Sequence, residues 1–444
     1  MKPQIFISAA TAGSGKTIFA MGLIRALQKR GLKTQTFKTG PDFIDAQLLS
    51  IASGNETVNL DAWMSSHTHV QYLYNKHGEK ADICITEGVS ALYDGYRRMQ
   101  GSSAEMAKLL NLPIILLINA RMAGYSIAPI IYGFKHFCAG VRIAGVVFNQ
   151  ISSPAHYAHL REACADAGVD CLGALPTMEA FKLPSKHTCW TQANRQALEE
   201  QINQMASHIE ANIDLNRILN RCNRNFPCQY TLPYSSDVET DNFLSPLRKL
   251  KIAVAKDAAF NFTYRENMIR LSQIGDITYF SPLHGYELPK ADLIYLPGGY
   301  IELFARQLHR RKKIMESIKE YAENGGRILA EGGGTTYLGA TLTAREGGTA
   351  YTMCNVLPIH TQPSLDNRPR TGYRKSGINA SEWRGYEFRY TSTPDIENAK
   401  ANSNFPITNL KGSETIMQLY RYKNVIASHT HWYWGDKDVR KLWE

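Results

Sequence analysis

The chain has 444 residues, too many for one ordinary hydrophobic core, so two domains are expected. Its 44% hydrophobic and 20% charged residues are what a folded soluble protein needs. The 50 basic residues against 40 acidic give +10, yet the longest basic run is Arg310 to Lys313; this argues against nucleic acid and for a polyanionic small molecule, such as a nucleotide with a polycarboxylate.

The apolar stretch "LPIILLIN" falls far short of a membrane span, and "MKPQIFISAA" leaves no room for a signal peptide before the first motif. A cytoplasmic protein with no membrane partner is the expectation. The eight cysteines (Cys84, Cys138, Cys164, Cys171, Cys189, Cys222, Cys228, Cys354) are scattered, with no CxxC pair and no clustered His. Buried thiols are expected rather than zinc or a disulfide framework.

The opening "QIFISAATAGSGKTIFAMGLIRALQKRGLKTQTFK" reads as strand, glycine-containing loop, amphipathic helix, strand. Gly13, Ser14, Gly15, Lys16 and Thr17 sit at the junction, where amide groups converge on phosphate oxygens at a helix N-terminus. Lys16 would neutralise the outer phosphates and the Thr17 hydroxyl would hold magnesium. The usual P-loop spelling places glycine at position 10, where this chain has Ala10. A plain strand-to-helix turn is the bland alternative.

Next, "FKTGPDFIDAQL" crowds Lys38, Asp42 and Asp45 around Gly40-Pro41, suited to metal or acid/base work if they are more than solvated loop carboxylates. In "DICITEGVSALYDG" a buried run Ile83 to Ile85 ends in Glu87, with Asp94 seven residues further. A carboxylate at the C-terminal end of a parallel strand lies where such sheets bind ligands, so Glu87 can reach a P-loop magnesium. Two more buried strands, "LPIILLINA" and "VRIAGVVFNQ", end in Asn119 and Asn149. Either asparagine caps a strand end, or Asn149 reads an adenine edge. Strands alternating with helices indicate a doubly wound parallel sheet.

These blocks, with "NLDAWM" at Asn59 to Met64, "GSSAEMAKLL" at Gly101 to Leu110 and "LGALPTMEAFKLPSKH" at Leu172 to His187, resemble the cobyrinic acid a,c-diamide synthase family along essentially the whole chain. The resemblance implies a P-loop, dethiobiotin synthetase-like domain in which ATP phosphorylates a peripheral carboxylate of a corrin and ammonia then displaces phosphate. It assigns ATP to Gly13 to Lys16, magnesium to Thr17 and Glu87, and the meeting of substrate and γ-phosphate to Asp42, Asp45 and Asp94. Ser90-Ala91 stands where the family has Met-Gly, and Phe43 where it has tyrosine; both bear on substrate fit rather than on phosphoryl chemistry.

The strand rhythm disappears over 191–249, which reads as a helical and turn-rich connection between domains at 1–190 and 250–444. A new α/β unit begins at "KIAVAKDAAFNFTYREN" and continues through "PGGYIEL", "GYR", "RGYEFRYT" and "ASHTHWYW". By resemblance it is the class I glutamine amidotransferase-like domain. The family's elbow reads AECGG, and its cysteine forms a thioester with glutamine's acyl group; here "AEGGG" puts Gly332 at that position, while the family's catalytic histidine falls on His431. The expectation is an ATP-dependent ligase with an inactive glutaminase half, using free or partner-supplied ammonia. The alternatives are a related synthase acting on another tetrapyrrole such as nickel sirohydrochlorin, or a non-catalytic corrinoid- or nucleotide-binding protein. The resemblance alone implies a homodimer.

Overall fold

The computed structural model describes residues 1–178, 192–231, 249–345, 348–364, 368–378, 381–393 and 406–444. Cys189 and the part of the "LGALPTMEAFKLPSKH" block beyond Met178 lie outside these. The chain divides into two compact units, Met1–Tyr234 and Ser235–Glu444. Among the described residues no helix is long and apolar enough to cross a membrane. The described cysteines are free thiols.

In the first unit, strands and helices alternate: β1 (Lys2–Ala9), α1 (Lys16–Lys29), β2 (Thr34–Thr39), α2 (Ile44–Ser53), β3 (Val58–Leu60), α3 (His67–Gly78), β4 (Ile83–Glu87), α4 (Ser103–Leu109), β5 (Ile114–Asn119), α5 (Ile127–His136), β6 (Ile143–Ile151), α6 (Pro154–Asp166) and β7 (Cys171–Pro176). The strands pair in parallel in the order β3-β2-β4-β1-β5-β6-β7. The chain winds outward from β1 to β3, inserts β4 beside β1, then crosses to β5 on the other side. With right-handed crossovers, that reversal puts helices on both faces and leaves a crevice at the C-terminal ends of the central strands. Register places Ile7 opposite Glu87, and Glu87 opposite Lys38, so the C-terminal ends of three neighbouring strands lie side by side.

The expected connection at 191–249 is corrected in its described part. α7 (Gln192–Asn212), α8 (Leu215–Arg221) and β8 (Asn223–Arg224) belong to the first unit. Helical spacing buries Leu198, Ile202, Met205 and Ile209 of α7. The helix lies so close to α1 that a Cβ on Gly22 would come within 2.4 Å of Met205 Cγ. Arg25 pairs with Glu199 at 2.8 Å across this contact, and β8 adds antiparallel to the start of β1. The helical spacing of Leu198, Ile202 and Ile209 is legible in the sequence, whereas the packing of that face on α1 is a tertiary contact that spacing does not show.

The second unit contains β9 (Leu250–Ala255), α9 (Arg265–Ile274), β10 (Gly275–Phe280), β11 (Leu293–Leu296), α10 (Ala305–His309), α11 (Lys312–Glu323), β12 (Arg327–Glu331) and α12 (Gly333–Leu338). It continues with β13 (Thr341–Thr343), β14 (Ala350–Thr352), β15 (His360–Pro363), β16 (Arg370–Ile378), β17 (Ser381–Arg389), β18 (Thr391–Ser392), β19 (Pro406–Thr408), β20 (Glu414–Tyr422), β21 (Val425–Ser428) and β22 (Thr430–Tyr433). The main sheet runs β10-β9-β11-β12-β21-β20-β19-β16-β17-β22. Its first five strands are parallel and the remainder antiparallel. Trp383, Trp432 and Trp434 are buried in the core of this unit.

Candidate active site

The phosphate loop is built by its glycines. Gly13 and Gly15 have φ of 76° and 92°, values that a side chain resists, and Gly15 turns the chain directly into α1. Ser14 is buried and donates its hydroxyl to the Thr11 carbonyl at 2.8 Å. Asn149, at the end of β6, donates its amide to the Ser14 carbonyl at 2.9 Å. A Cβ on Gly15 would lie 2.7 Å from that same amide nitrogen, so glycine is needed there for space as well as for angle. Asn149 therefore braces the loop through its amide nitrogen.

At the mouth of this loop, Thr17 donates to Glu87 Oε1 at 2.7 Å. Lys38 Nζ lies 3.0 Å from the same oxygen and 3.0 Å from Asp45 Oδ2. The side chains of Lys38 and Glu87 are only 3% and 1% exposed, so a full positive charge is buried between two carboxylates. Burial alone would pull Lys38 down, but Asp45 and Glu87 win and hold it above its ordinary range. Burial pushes the Glu87 carboxyl up, against the opposing pull of Lys38. Asp42 accepts from the Asp45 backbone amide at 2.8 Å, and Asn59 donates to the carbonyls of Gly40 and Asp42 at 3.0 and 2.9 Å. Asn59 of the "NLDAWM" block thus holds the loop that carries Asp42 and leads into the first turn of α2, where Asp45 sits.

Lys16 donates to the Ser90 carbonyl. Burial and the neighbouring Lys38 pull Lys16 below its ordinary range, against Glu87, Asp45 and Asp94. Ser90 has φ of 47°, and its hydroxyl lies 3.5 Å from Asp94 Oδ2. The expected residues Lys16, Thr17, Asp45 and Glu87 therefore meet around Lys38, with Asp42 one bond behind and Asp94 at the exposed rim.

A magnesium ion suits this donor set. Glu87 Oε2 is buried without a hydrogen-bond partner among the described residues, and the Thr17 hydroxyl stands beside the other carboxylate oxygen. A hard cation that keeps most of its own water takes few protein oxygens of this kind.

In the second unit β12 ends at Glu331 and the chain turns through Gly332 into α12. Gly332 has φ 49° and ψ −117°, the sharp strand-to-helix bend that exposes a nucleophile where one is present. No side chain stands there. A Cβ built on Gly332 would lie 2.3 Å from His431 Cε1 and 2.6 Å from Nε2, so the imidazole occupies the space a side chain would enter. Burial pushes His431 down to about 4, against the Phe388 backbone and the Glu387 carboxylate, so the ring is neutral near pH 7. Glu387 is gripped by Arg374 and Arg389, each Nε at 2.9 Å; burial would raise it, but the two guanidiniums hold it low.

Two residues escaped the sequence reading as members of the sites. Lys38 stood in a cluster picked out for its carboxylates, and only strand register reveals it as their bridge. Glu331 accepts from the Tyr295 hydroxyl at 2.9 Å and from the Trp432 amide at 3.1 Å, tying the elbow strand to the residue after His431. Burial pushes its carboxyl up to about 8. A glutamate closing an apolar run was the available signal.

Residues 5–189 match the CobQ/CobB/MinD/ParA nucleotide binding domain, and residues 251–439 match the CobB/CobQ-like glutamine amidotransferase domain. Curated relatives align over nearly the whole length. The cobyrinate a,c-diamide synthase of Syntrophotalea carbinolica is 32% identical over 98% of this chain and 96% of its own. The hydrogenobyrinate a,c-diamide synthase of Brucella abortus is 36% identical over 96% and 97%, and the cobyrinate enzyme of Dehalococcoides mccartyi strain 195 is 33% identical over 98% and 95%. With both domains matched in order and relatives aligned from end to end, this chain belongs to the cobyrinate and hydrogenobyrinate a,c-diamide synthase family.

Proposed function

We propose that the protein amidates the a and c side-chain carboxylates of a cobyrinate-type corrin in cobalamin biosynthesis, using ATP and ammonia that is free or delivered by a partner. The observation that carries this reading is the array at the phosphate loop, in which buried Lys38 and Glu87 meet half-buried Thr17 and Asp45, together with a glycine at the elbow of the other unit. A substrate carboxylate oxygen attacks the γ-phosphorus of ATP and ADP leaves; ammonia then attacks the acyl carbon, phosphate departs, and a proton is lost to leave the amide.

The loop amides and Lys16 bind the phosphates, and Lys38 maintains positive charge where the transferring group passes. Thr17 and Glu87 would hold magnesium, which neutralises phosphate charge. Asp94, exposed at the rim, serves with Asp42 and Asp45 where the substrate carboxylate meets the γ-phosphate. In the second unit His431 is a neutral base with no nucleophile to activate, so thioester formation from glutamine is absent. The test is a pair of assays with ATP, magnesium and cobyrinic acid, one fed glutamine and one ammonium chloride, with products weighed by mass spectrometry. Two successive amide gains with ammonia alone are expected. Equal rates from glutamine would overturn the inactive-glutaminase part, and no amide from either source would overturn the whole.

A further inference from the structure

Two loops at the C-terminal edge of the first sheet carry side chains that the chemistry above leaves unused. The turn between β4 and α4 holds Tyr96, Arg97, Arg98 and Met99, and the loop after β5 holds Arg121 and Met122. β4 and β5 are the two neighbours of β1, so these loops leave the sheet on either side of the strand that feeds the phosphate loop. All six residues are exposed, Met122 to 96%. The guanidinium groups of Arg97, Arg98 and Arg121 make no ion pair among the described residues, whereas Arg25 holds Glu199 and Arg217 holds Asp170, each at 2.8 Å.

The turn itself is well held. Gly95 donates to the Arg98 carbonyl at 2.8 Å and Tyr96 to the Gln100 carbonyl at 2.9 Å. Arg98 has φ of 52°, and with Ser90 at 47° it brackets Asp94 with left-handed backbone that non-glycine residues avoid. Strain of this kind persists where surrounding structure enforces it, commonly at ligand sites. Lys16, bonded to the Ser90 carbonyl, ties the start of the segment to the phosphate loop.

Exposed thioether and phenol groups, carried by the same two loops as guanidinium groups that make no ion pair among the described residues, suit a ligand that is apolar on its faces and anionic at its edge. The apolar faces would cover Met99, Met122 and the Tyr96 ring, and peripheral carboxylates would take the arginines in forked pairs. We propose that these two loops form the lip that seats a polycarboxylate macrocycle and turns one peripheral carboxylate toward Lys16 and Asp94. This rests on the amidation reading above.

The test uses the full chain with ATP, magnesium, ammonium chloride and cobyrinic acid, comparing wild type with Arg97→Ala/Arg121→Ala and with Met122→Ala. The double variant should raise KM for cobyrinic acid about tenfold or more and lower kcat by a smaller factor, with KM for ATP within about twofold, because the lost charge-assisted pairs seat and orient the macrocycle and leave the nucleotide untouched. Arg97→Lys/Arg121→Lys should recover part of the loss. Titration of cobyrinic acid, followed by its visible absorption, should show the same weakening without turnover. If wild type amidates cobyrinate and the variants keep its KM, the lip is refuted while the amidation reading stands. Variants that change only the sedimentation behaviour would assign the loops to a protein contact and refute the lip. A wild-type chain that neither binds nor amidates cobyrinate refutes both.

Discussion

The Thr17 hydroxyl donates to Glu87 Oε1 at 2.7 Å, joining the first turn of α1 to the last residue of β4. The contact leaves the other oxygen of Glu87 buried without a hydrogen-bond partner among the described residues. Glu87→Gln keeps the size and the bond from Thr17 but removes the charge. Ammonia-dependent amidation should fall at least about a hundredfold, and the magnesium concentration for half-maximal rate should rise. An unchanged magnesium dependence would refute the assignment.

Lys38 is the buried cation between buried Glu87 and half-buried Asp45, and its removal leaves the two carboxylates without their shared partner. Lys38→Met is expected to destabilise the protein by about 3–5 kcal/mol, the usual cost of breaking a buried pair from one side. Lys38→Met/Asp45→Asn should regain part of that loss while staying inactive. Urea midpoints and ammonia-dependent rates of the two variants separate the structural from the chemical contribution.

Gly332 predicts two things at once. Glutamine-dependent amidation by the wild type should lie at least about a thousandfold below the ammonia-dependent rate, as in enzymes stripped of their nucleophile. Gly332→Cys should lower stability by about 1–3 kcal/mol, because a side chain at φ 49° is strained and must displace the His431 ring. A urea midpoint equal to wild type would mean that the ring yields freely.

Glu331 should give the second unit a pH dependence of defined sign. Its carboxyl is raised by burial from an ordinary 4.5 to about 8, so the folded state holds a proton that the unfolded chain releases. The contribution to stability is full below about pH 4.5 and lost as pH rises through 8. Glu331→Gln, which cannot ionise, should flatten the stability profile over that window. A profile of unchanged slope, measured by urea unfolding at several pH values, would contradict the buried-acid assignment.

Most of the first site was legible because its residues lie at predictable places: after the first strand, or at the end of a buried run, as with Thr17 and Glu87. Lys38 was visible but not interpretable, since its partners come from a neighbouring strand and from α2, and register is a tertiary property. The elbow was legible through motif order, yet nothing in "AEGGG" announces that His431 fills the vacated space. The antiparallel half of the second sheet was also missed: its pairings join segments far apart, such as Tyr386 with His431.

The packing of α7 over Gly22 sets where this protein can be divided. Cutting after residue 190 would strip α1 of the helix that covers it and expose Leu198's and Ile202's seat to water, whereas a cut after Tyr234 leaves that surface sealed. The first unit carries the cover of α1 in its own sequence, so a fragment that keeps this surface sealed has to run through α7 and α8.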